Sequence, residues 1–499
     1  MATTTKIPPP VFKYDPANMA DLKEKAKRWP EYDKLPVYEL QKVIVKSGAI
    51  YELPAQLKSL VPGGSGEVVL VMDKTPMLRN GESLKPMVKR MLGDEGFEVQ
   101  TVELAGDERG VVHPDFHEVE TVKKHLRVGV PVVSLGSGVI TDITKHASFL
   151  FDQEHPDQPR LPVVFCQTAN SVPAFASRMA VISKDGVKRT WPSRLSDVLI
   201  IDLETLQGAM LEYTLGGIGD TSPMFTAFAD WYIGDYFGMS KYVDSSWYIM
   251  EDVNALLLPY ATDIGQHTPI GMEVLGKILT LGGLSMTYAR ESSPMSGYEH
   301  VVSHMLDMAA DHFERPIANH GSQVAVAAVL HLIGFGWFLD EFDPSKIDIE
   351  RCYPSVEEME KKVMAAFADI DPSGAMGAEC WSDYKQKVTA WHKARPIFEK
   401  FLADWPNQRA HLESLILRAE KYVASYQEAG HPLYFEELNV PVAESQARWA
   451  YQNAHLMRKR FSHADLLYYT GFWDDAWVDR IFARMHELVE SVRHPAIPA

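Results

Sequence analysis

Between about residues 41 and 203 the chain alternates two kinds of pattern. Short runs crowded with β-branched residues predict strands: KVIVKSG, GEVVLVMDK, FEVQTVEL, VPVVSLGSG, LPVVFCQTAN, MAVIS, VKRTW and DVLIIDL. Amphipathic stretches between several of them, such as GESLKPMVKRMLGDEG and HPDFHEVETVKKHL, predict helices. Strands alternating with helices imply βαβ units and a mostly parallel sheet covered on both faces. The unbroken VVLVM and PVVSL runs suit strands buried on both sides. After DVLIIDLETL the texture changes. Ala, Leu, Met, Trp and Tyr recur at helical spacing in TSPMFTAFADWYIGDYFG, MEVLGKILTLGGLSMTYARE, HVVSHMLDMAADHF and SQVAVAAVLHLIGFGWFLDEF.

These patterns predict three parts. Residues 1–40, rich in Pro and charge, form an arm with one short helix. Residues 41–203 form a Rossmann-like α/β domain, and residues 204–499 a helical domain with a polar elaboration at about 341–445. The whole composition is that of a globular protein: 46% hydrophobic and 23% charged over 499 residues, enough for two or three domains. Its 49 basic against 67 acidic side chains leave a net charge of -18, which repels phosphate backbones and anionic lipid. Nucleic acid and membrane are therefore disfavoured as partners, while a local basic pocket for one small anion stays open. Cys166, Cys352 and Cys380 are too few and too scattered for a disulfide framework. The N-terminal segment has no apolar core of a signal peptide, and the longest apolar run, VAVAAVLHLIGFGWFL, is short of the ~20 residues of a membrane span. A cytoplasmic protein is expected.

Two constellations could carry chemistry. In VVSLGSGVITDITKHASF a buried strand runs into Gly136, Ser137 and Gly138 and then into a helix starting near Ile140. Glycine admits close backbone approach and a helix N-terminus offers N–H groups to a pyrophosphate, although a plain tight turn has the same pattern. Asp73 closes the strand VVLVMD, where a carboxylate can accept the ribose hydroxyls of an adenosine or cap a helix. The second constellation is His300 and His304, one turn apart on a helix, with His320 after a loop and Asp220 at a glycine-rich helix start. Two imidazoles and a carboxylate suit a divalent ion with an open position, whereas a surface or core histidine pair would need no ion.

The order GSGVITDITK, QTANSVPAFAS, GVKRTWPSRLSDVLIIDLETL, GGIGDTSPMFTAFADW, SSPMSGYEHVVSHMLDM and HGSQVAVAAV resembles the glycerol-1-phosphate dehydrogenase family, within the iron-containing alcohol dehydrogenase and dehydroquinate synthase superfamily. NAHLMRKRFSHADLLYYTG resembles its C-terminal Arg-rich helix. The resemblance implies a Rossmann-like domain followed by a helical one, with the active site in the cleft between them. It implies Asp220, His300 and His320 as metal ligands (zinc, nickel or iron) and His304 as a proton-relay residue beside the metal. It implies Gly136, Ser137 and Gly138 at the pyrophosphate, with Asp142 and Lys145 on the following helix. Thr168 and Ser171 would face the nicotinamide, and Asp73 the ribose. The cofactor implied is NAD(H), with NADP(H) as the alternative, and the partner a small substrate, phosphorylated or not, on a homo-oligomeric enzyme.

Two positions depart from the family pattern. Pro173 replaces a carboxylate near the nicotinamide, and Ser293 replaces the arginine of SRPASG. The expected activity is an NAD(P)-linked, metal-dependent oxidoreductase of small polyols, aldehydes or ketones, weak on glycerol 1-phosphate itself. A dehydroquinate-synthase-like lyase or cyclase and a non-catalytic nucleotide-binding descendant are the alternatives. Arg178, Lys188 and Arg189 are candidates for a phosphate clamp or solvated charges on a strand edge.

Overall fold

A computed structural model describes residues 10–36, 39–64, 66–108, 110–184 and 187–495, without the side chains of 187, 188 and 254. The expectations for residues 1–9, 37 and 38 of the arm and for the Lys188 side chain lie outside that description. The chain forms two compact units, one of Met1–Thr221 with Asp244–Glu291, the other of Ser222–Val243 with Ser292–Ala499.

In the first unit, strands β1 (Lys42–Lys46), β2 (Glu67–Asp73), β5 (Glu98–Leu104), β6 (Val132–Gly136), β7 (Val163–Gln167) and β10 (Val198–Asp202) form one sheet in the order β1-β10-β7-β6-β2-β5. Every pairing is parallel, with Val69 opposite Val132, Val132 opposite Val163 and Glu67 opposite Glu98. β6, β7 and β10 are buried at every residue, which is why they read as unbroken apolar runs, while the edge strand β5 is half exposed. The chain steps from β2 outward to β5 and then returns to place β6 on the other side of β2. The carboxyl ends of β2 and β6 therefore flank the point where the winding direction reverses, the place where open α/β sheets bind ligands.

The other strands stand apart from this sheet. β3 (Leu78–Arg79) and β4 (Glu82–Ser83) make a hairpin whose turn, Asn80 and Gly81, has positive φ at both residues. β8 (Met179–Lys184) and β9 (Val187–Pro192) pair antiparallel with each other rather than extending the sheet. The unit is completed by the helix Pro269–Ala289, capped by the Thr268 side chain. On that helix a Cβ at Gly283 would lie 2.5 Å from the Pro173 carbonyl oxygen and 2.9 Å from the Ala176 side chain, so glycine permits the contact.

The second unit is helical in its regular structure. SDYKQKVTAWHKARPIFEKFLADW continues as three helices, Ala375–Lys393, Arg395–Ala403 and Trp405–Leu415, with breaks where Pro396 and Pro406 enter the first turns. The helix His320–Glu341 is long and apolar enough to cross a membrane by length and composition, but 94% of its most apolar window is buried. An all-round apolar helix in that setting is a core helix.

Candidate functional site

The β6 turn has the expected form with its helix beginning earlier, at Gly138 rather than near Ile140. Gly138 is tolerated because the first turn's N–H groups have no intrahelical partners. Ser137 stands at the N-cap without a side-chain capping bond, which leaves the first-turn donors and the positive end of a 17-residue helix at the carboxyl end of β6. Side chains at 136 and 138 would collide with Ile140 and Val172. Asp73 ends β2, next to β6, as expected, and is not a helix cap. Its carboxylate is paired with Lys85 and accepts from the Thr75 hydroxyl at 2.5 Å, while Lys85 Nζ also donates to the carbonyls of Asp73 and Thr75 at 2.6 Å each. Lys85 escaped the sequence reading because the contact is set by how the hairpin returns the chain to β2.

Lys145 is buried with its amine 2.8 Å from both the Ala174 carbonyl and Asp142, and 3.2 Å from the Ser177 carbonyl. The other Asp142 oxygen accepts from the Val181 amide at 3.0 Å. Asp142 and Lys145 thus hold the turn Pro173–Ala176 from beneath. Ser171 is half-buried just before that turn. Thr168 is buried and its hydroxyl makes no hydrogen bond among the described residues. An orphaned buried donor is a position where a ligand can satisfy the protein.

Asp220 is the last residue of the helix Leu211–Asp220 and not at a helix start, as its glycine-rich setting suggested. Gly217 is there for packing: a Cβ on it would lie 1.9 Å from the Asn170 carbonyl oxygen. Asp220 follows three residues on, roughly 4.5 Å of helix rise from that contact with the Thr168–Ser171 loop.

In the second unit, His300 and His304 lie on the helix Tyr298–His312, and His320 is the first residue of His320–Glu341, capped by the Asn319 side chain. Their rings converge, with centres 5.2 Å apart for His300–His320 and His304–His320 and 6.3 Å for His300–His304. His320 Nδ1 is held by the Ser303 hydroxyl at 2.9 Å. Asp307, one turn past His304, joins His304 and His320 in a group whose ligand atoms lie within 4.8 Å of one another. The i+3 spacing from His304 could have drawn attention to it.

Beside these lies a wholly buried network that the sequence reading missed. His331 Nδ1 donates to Glu299 Oε2 at 2.6 Å, and its Nε2 is 3.3 Å from Asp230 Oδ2. His463 Nδ1 is 3.1 Å from Asp230 Oδ1, and the two imidazoles stack with centres 4.5 Å apart. Burial pushes the His331 imidazole down, but the Asp230 and Glu299 carboxylates outweigh it and raise its pKa to about 9. Burial likewise opposes ionisation of Asp230 and Glu299, yet the neighbouring imidazoles hold both well below the usual carboxylate range. The available signal was a lone histidine inside VAVAAVLHLIGF.

Of the expected basic clamp, Arg178 is paired with Glu39 at 3.1 Å and Arg189 is exposed on β9. A different arginine reaches the departed motif. Arg460 donates to the Ser296 carbonyl, and at 3.1 Å to the Ser292 hydroxyl, on either side of Ser293. Burial and the charge of Arg460 push the Arg458 pKa down to about 10, against the pull of Asp383.

Residues 44–209 match the family of iron-containing alcohol dehydrogenases. A glycerol-1-phosphate dehydrogenase (NAD(P)+) of Bacillus subtilis (strain 168) is 27% identical over 399 residues, spanning 79% of this chain and 83% of its own length. The enzyme of that name from Pyrococcus furiosus is 30% identical over 264 residues, 50% of this chain and 68% of its own. Glycerol dehydrogenase from Schizosaccharomyces pombe superposes with a TM-score of 0.52 at 14% identity, over 90% of this chain and 92% of that one, a likeness of fold.

Proposed function

The chain belongs to the glycerol-1-phosphate dehydrogenase family of the iron-containing alcohol dehydrogenases, and from that premise we propose how its own residues divide the work of a metal-dependent, NAD(P)-linked polyol dehydrogenase. Its substrate is a small polyol, or polyol phosphate, and the matching carbonyl compound. Asp220, His300 and His320 hold one divalent ion: zinc, nickel or iron suits two imidazoles and a carboxylate. The observation that carries this reading is the convergence of the histidine rings. Two imidazoles on one tetrahedral ion, with bonds of ~2.1 Å, have ring centres roughly 5 Å apart, and His300 and His320 stand at 5.2 Å. The chain runs on from Asp220 into the segment of Thr226, whose hydroxyl bonds Glu299, the neighbour of His300.

The nicotinamide supplies the hydride acceptor or donor, and the ion supplies Lewis acidity at the substrate oxygen. The N–H groups after Gly136–Gly138 bind the pyrophosphate, and Asp73 binds the ribose at the neighbouring strand end. Asp142 and Lys145 act by holding the Pro173 turn. Thr168 and Ser171 face the nicotinamide, where the orphaned Thr168 hydroxyl finds a partner. His304, beside His320, moves the proton to or from the substrate oxygen. Three buried, free cysteines support a cytoplasmic setting.

Metal analysis of the purified protein, with coenzyme absorbance followed against polyols, aldehydes and their phosphates, tests the proposal. One divalent ion per chain and net coenzyme turnover are expected. Protein without metal and inert towards every such substrate would overturn it. His304→Ala should keep the ion and lose turnover. Loss of the ion would instead assign His304, Asp307 and His320 as the ligands.

A further inference from the structure

Glu299 is fully buried one residue before a proposed metal ligand, with both carboxylate oxygens engaged. Its Oε1 accepts from the Gly297 amide at 2.8 Å and lies 3.5 Å from His300 Nδ1. Its Oε2 accepts from the Thr226 hydroxyl at 2.9 Å and from His331 Nδ1 at 2.6 Å. Behind His331 stands Asp230, which accepts from the backbone amides of Tyr298 at 3.1 Å and His463 at 2.9 Å. Two buried carboxylates therefore tie down Gly297 and Tyr298, the start of the helix on which His300 is the third residue. One of them also faces the His300 ring.

We propose that Glu299 is the positioning residue for His300, and that His331 and Asp230 hold Glu299 in place. The carboxylate stands 3.5 Å from Nδ1, beyond a direct hydrogen bond, and acts through its charge and its hold on the helix start: the charge favours a proton on Nδ1 and so leaves Nε2 as the ligand atom. The inference rests on the metal reading above. Asp230, His331 and His463 also bring three ligand atoms within 4.8 Å of one another, and so could be taken for a second ion site. Their ring geometry argues against it. The two imidazoles are stacked 12° from parallel, so their in-plane lone pairs cannot converge on one ion. The network serves instead as the support behind His300.

The test titrates metal-free full-length protein with Co²⁺ in competition with a chelator and records its visible absorption bands. Glu299→Gln keeps the side-chain volume and removes the charge. Metal affinity is expected to fall ten- to a hundredfold with altered Co²⁺ bands, while the metal-free protein keeps its wild-type far-UV spectrum. Wild-type affinity and bands in Glu299→Gln would overturn the inference. If that variant does not fold, Thr226→Val removes one of the bonds that orient Oε2. It should weaken Co²⁺ binding several-fold, and unchanged binding would overturn the inference equally. Two ions per wild-type chain would assign the His331 cluster as a site and overturn it too. A wild-type protein that binds no ion would instead overturn the metal reading on which it rests.

Discussion

The carboxylate of Asp73 meets the end of β2 already paired with the amine of Lys85, in a contact that is nearly buried on both sides. A lone carboxylate there would repel the 2′-phosphate of NADP(H). Lys85 offsets much of that repulsion, so NADH and NADPH are expected to be used with catalytic efficiencies within about tenfold of each other. Asp73→Asn leaves the cation and removes the anion. It should shift preference towards NADPH by tenfold to a hundredfold, the range of one charged hydrogen bond. Steady-state kcat/KM with each coenzyme decides this, and an unchanged ratio would remove Asp73 from the ribose site.

Pro173 is fixed in its turn by Lys145 beneath and Gly283 beside it. Its side chain cannot make the charged hydrogen bond that the resemblance implies for a carboxylate at this position, a difference of roughly 1.5–3 kcal/mol. Turnover of dihydroxyacetone phosphate is expected to be weak. Pro173→Asp should raise kcat/KM on it by ten- to a hundredfold, since Lys145 grips the carbonyls of 174 and 177 rather than residue 173. Robust wild-type turnover of that substrate would show that the contact is dispensable.

The sheet was legible because strands buried on both faces must be continuously apolar, and the histidine pair because helical spacing puts His300 and His304 on one face. The rest was hidden by distance along the chain. Asp230 and His463 meet across 233 positions, and nothing in either local pattern records the other. Asp220 was misplaced for a different reason. The glycines that suggest a helix start lie inside the helix instead, where Gly217 lets a loop carbonyl approach. Arg460 shows how a motif departure can mislead. Ser293 reads as a lost cation, while the fold brings another to Ser292 and Ser296 on either side of it.

The His331 pKa is raised from 6.5 to about 9, so its charged interactions stabilise the fold fully below pH 6.5 and are lost as pH rises through 9. Asp230 and Glu299 are depressed, so their contribution is present above their ordinary values and lost as pH falls towards their folded ones. The His331 contribution should be greatest below about pH 6.5 and decline by up to about 3 kcal/mol towards alkaline pH. Urea melts from pH 5 to 10 measure this. His331→Gln should be less stable at pH 6 and show a flatter alkaline decline, and an equally steep decline would place the titrating group elsewhere.

Arg460 bears on whether the substrate is phosphorylated. Its guanidinium bonds the Ser296 carbonyl and the Ser292 hydroxyl, both on the segment that leads directly into the His300 helix. Ser296 precedes His300 by four residues, so the two Cα atoms are at most ~14 Å apart. A guanidinium tied to that segment is a candidate anchor for the far end of a small phosphorylated substrate. The neighbouring Arg458 raises the local positive charge, within a chain whose net charge is -18. Arg460→Met keeps much of the aliphatic bulk and removes the fork that can bind a phosphate through two oxygens. Inhibition by glycerol 1-phosphate should weaken ten- to a hundredfold, while KM for an unphosphorylated carbonyl substrate changes by less than about threefold. The paired measurement separates anion binding from loop support. If Arg460 only braces Ser292 and Ser296, both quantities will worsen together, and the phosphate assignment fails.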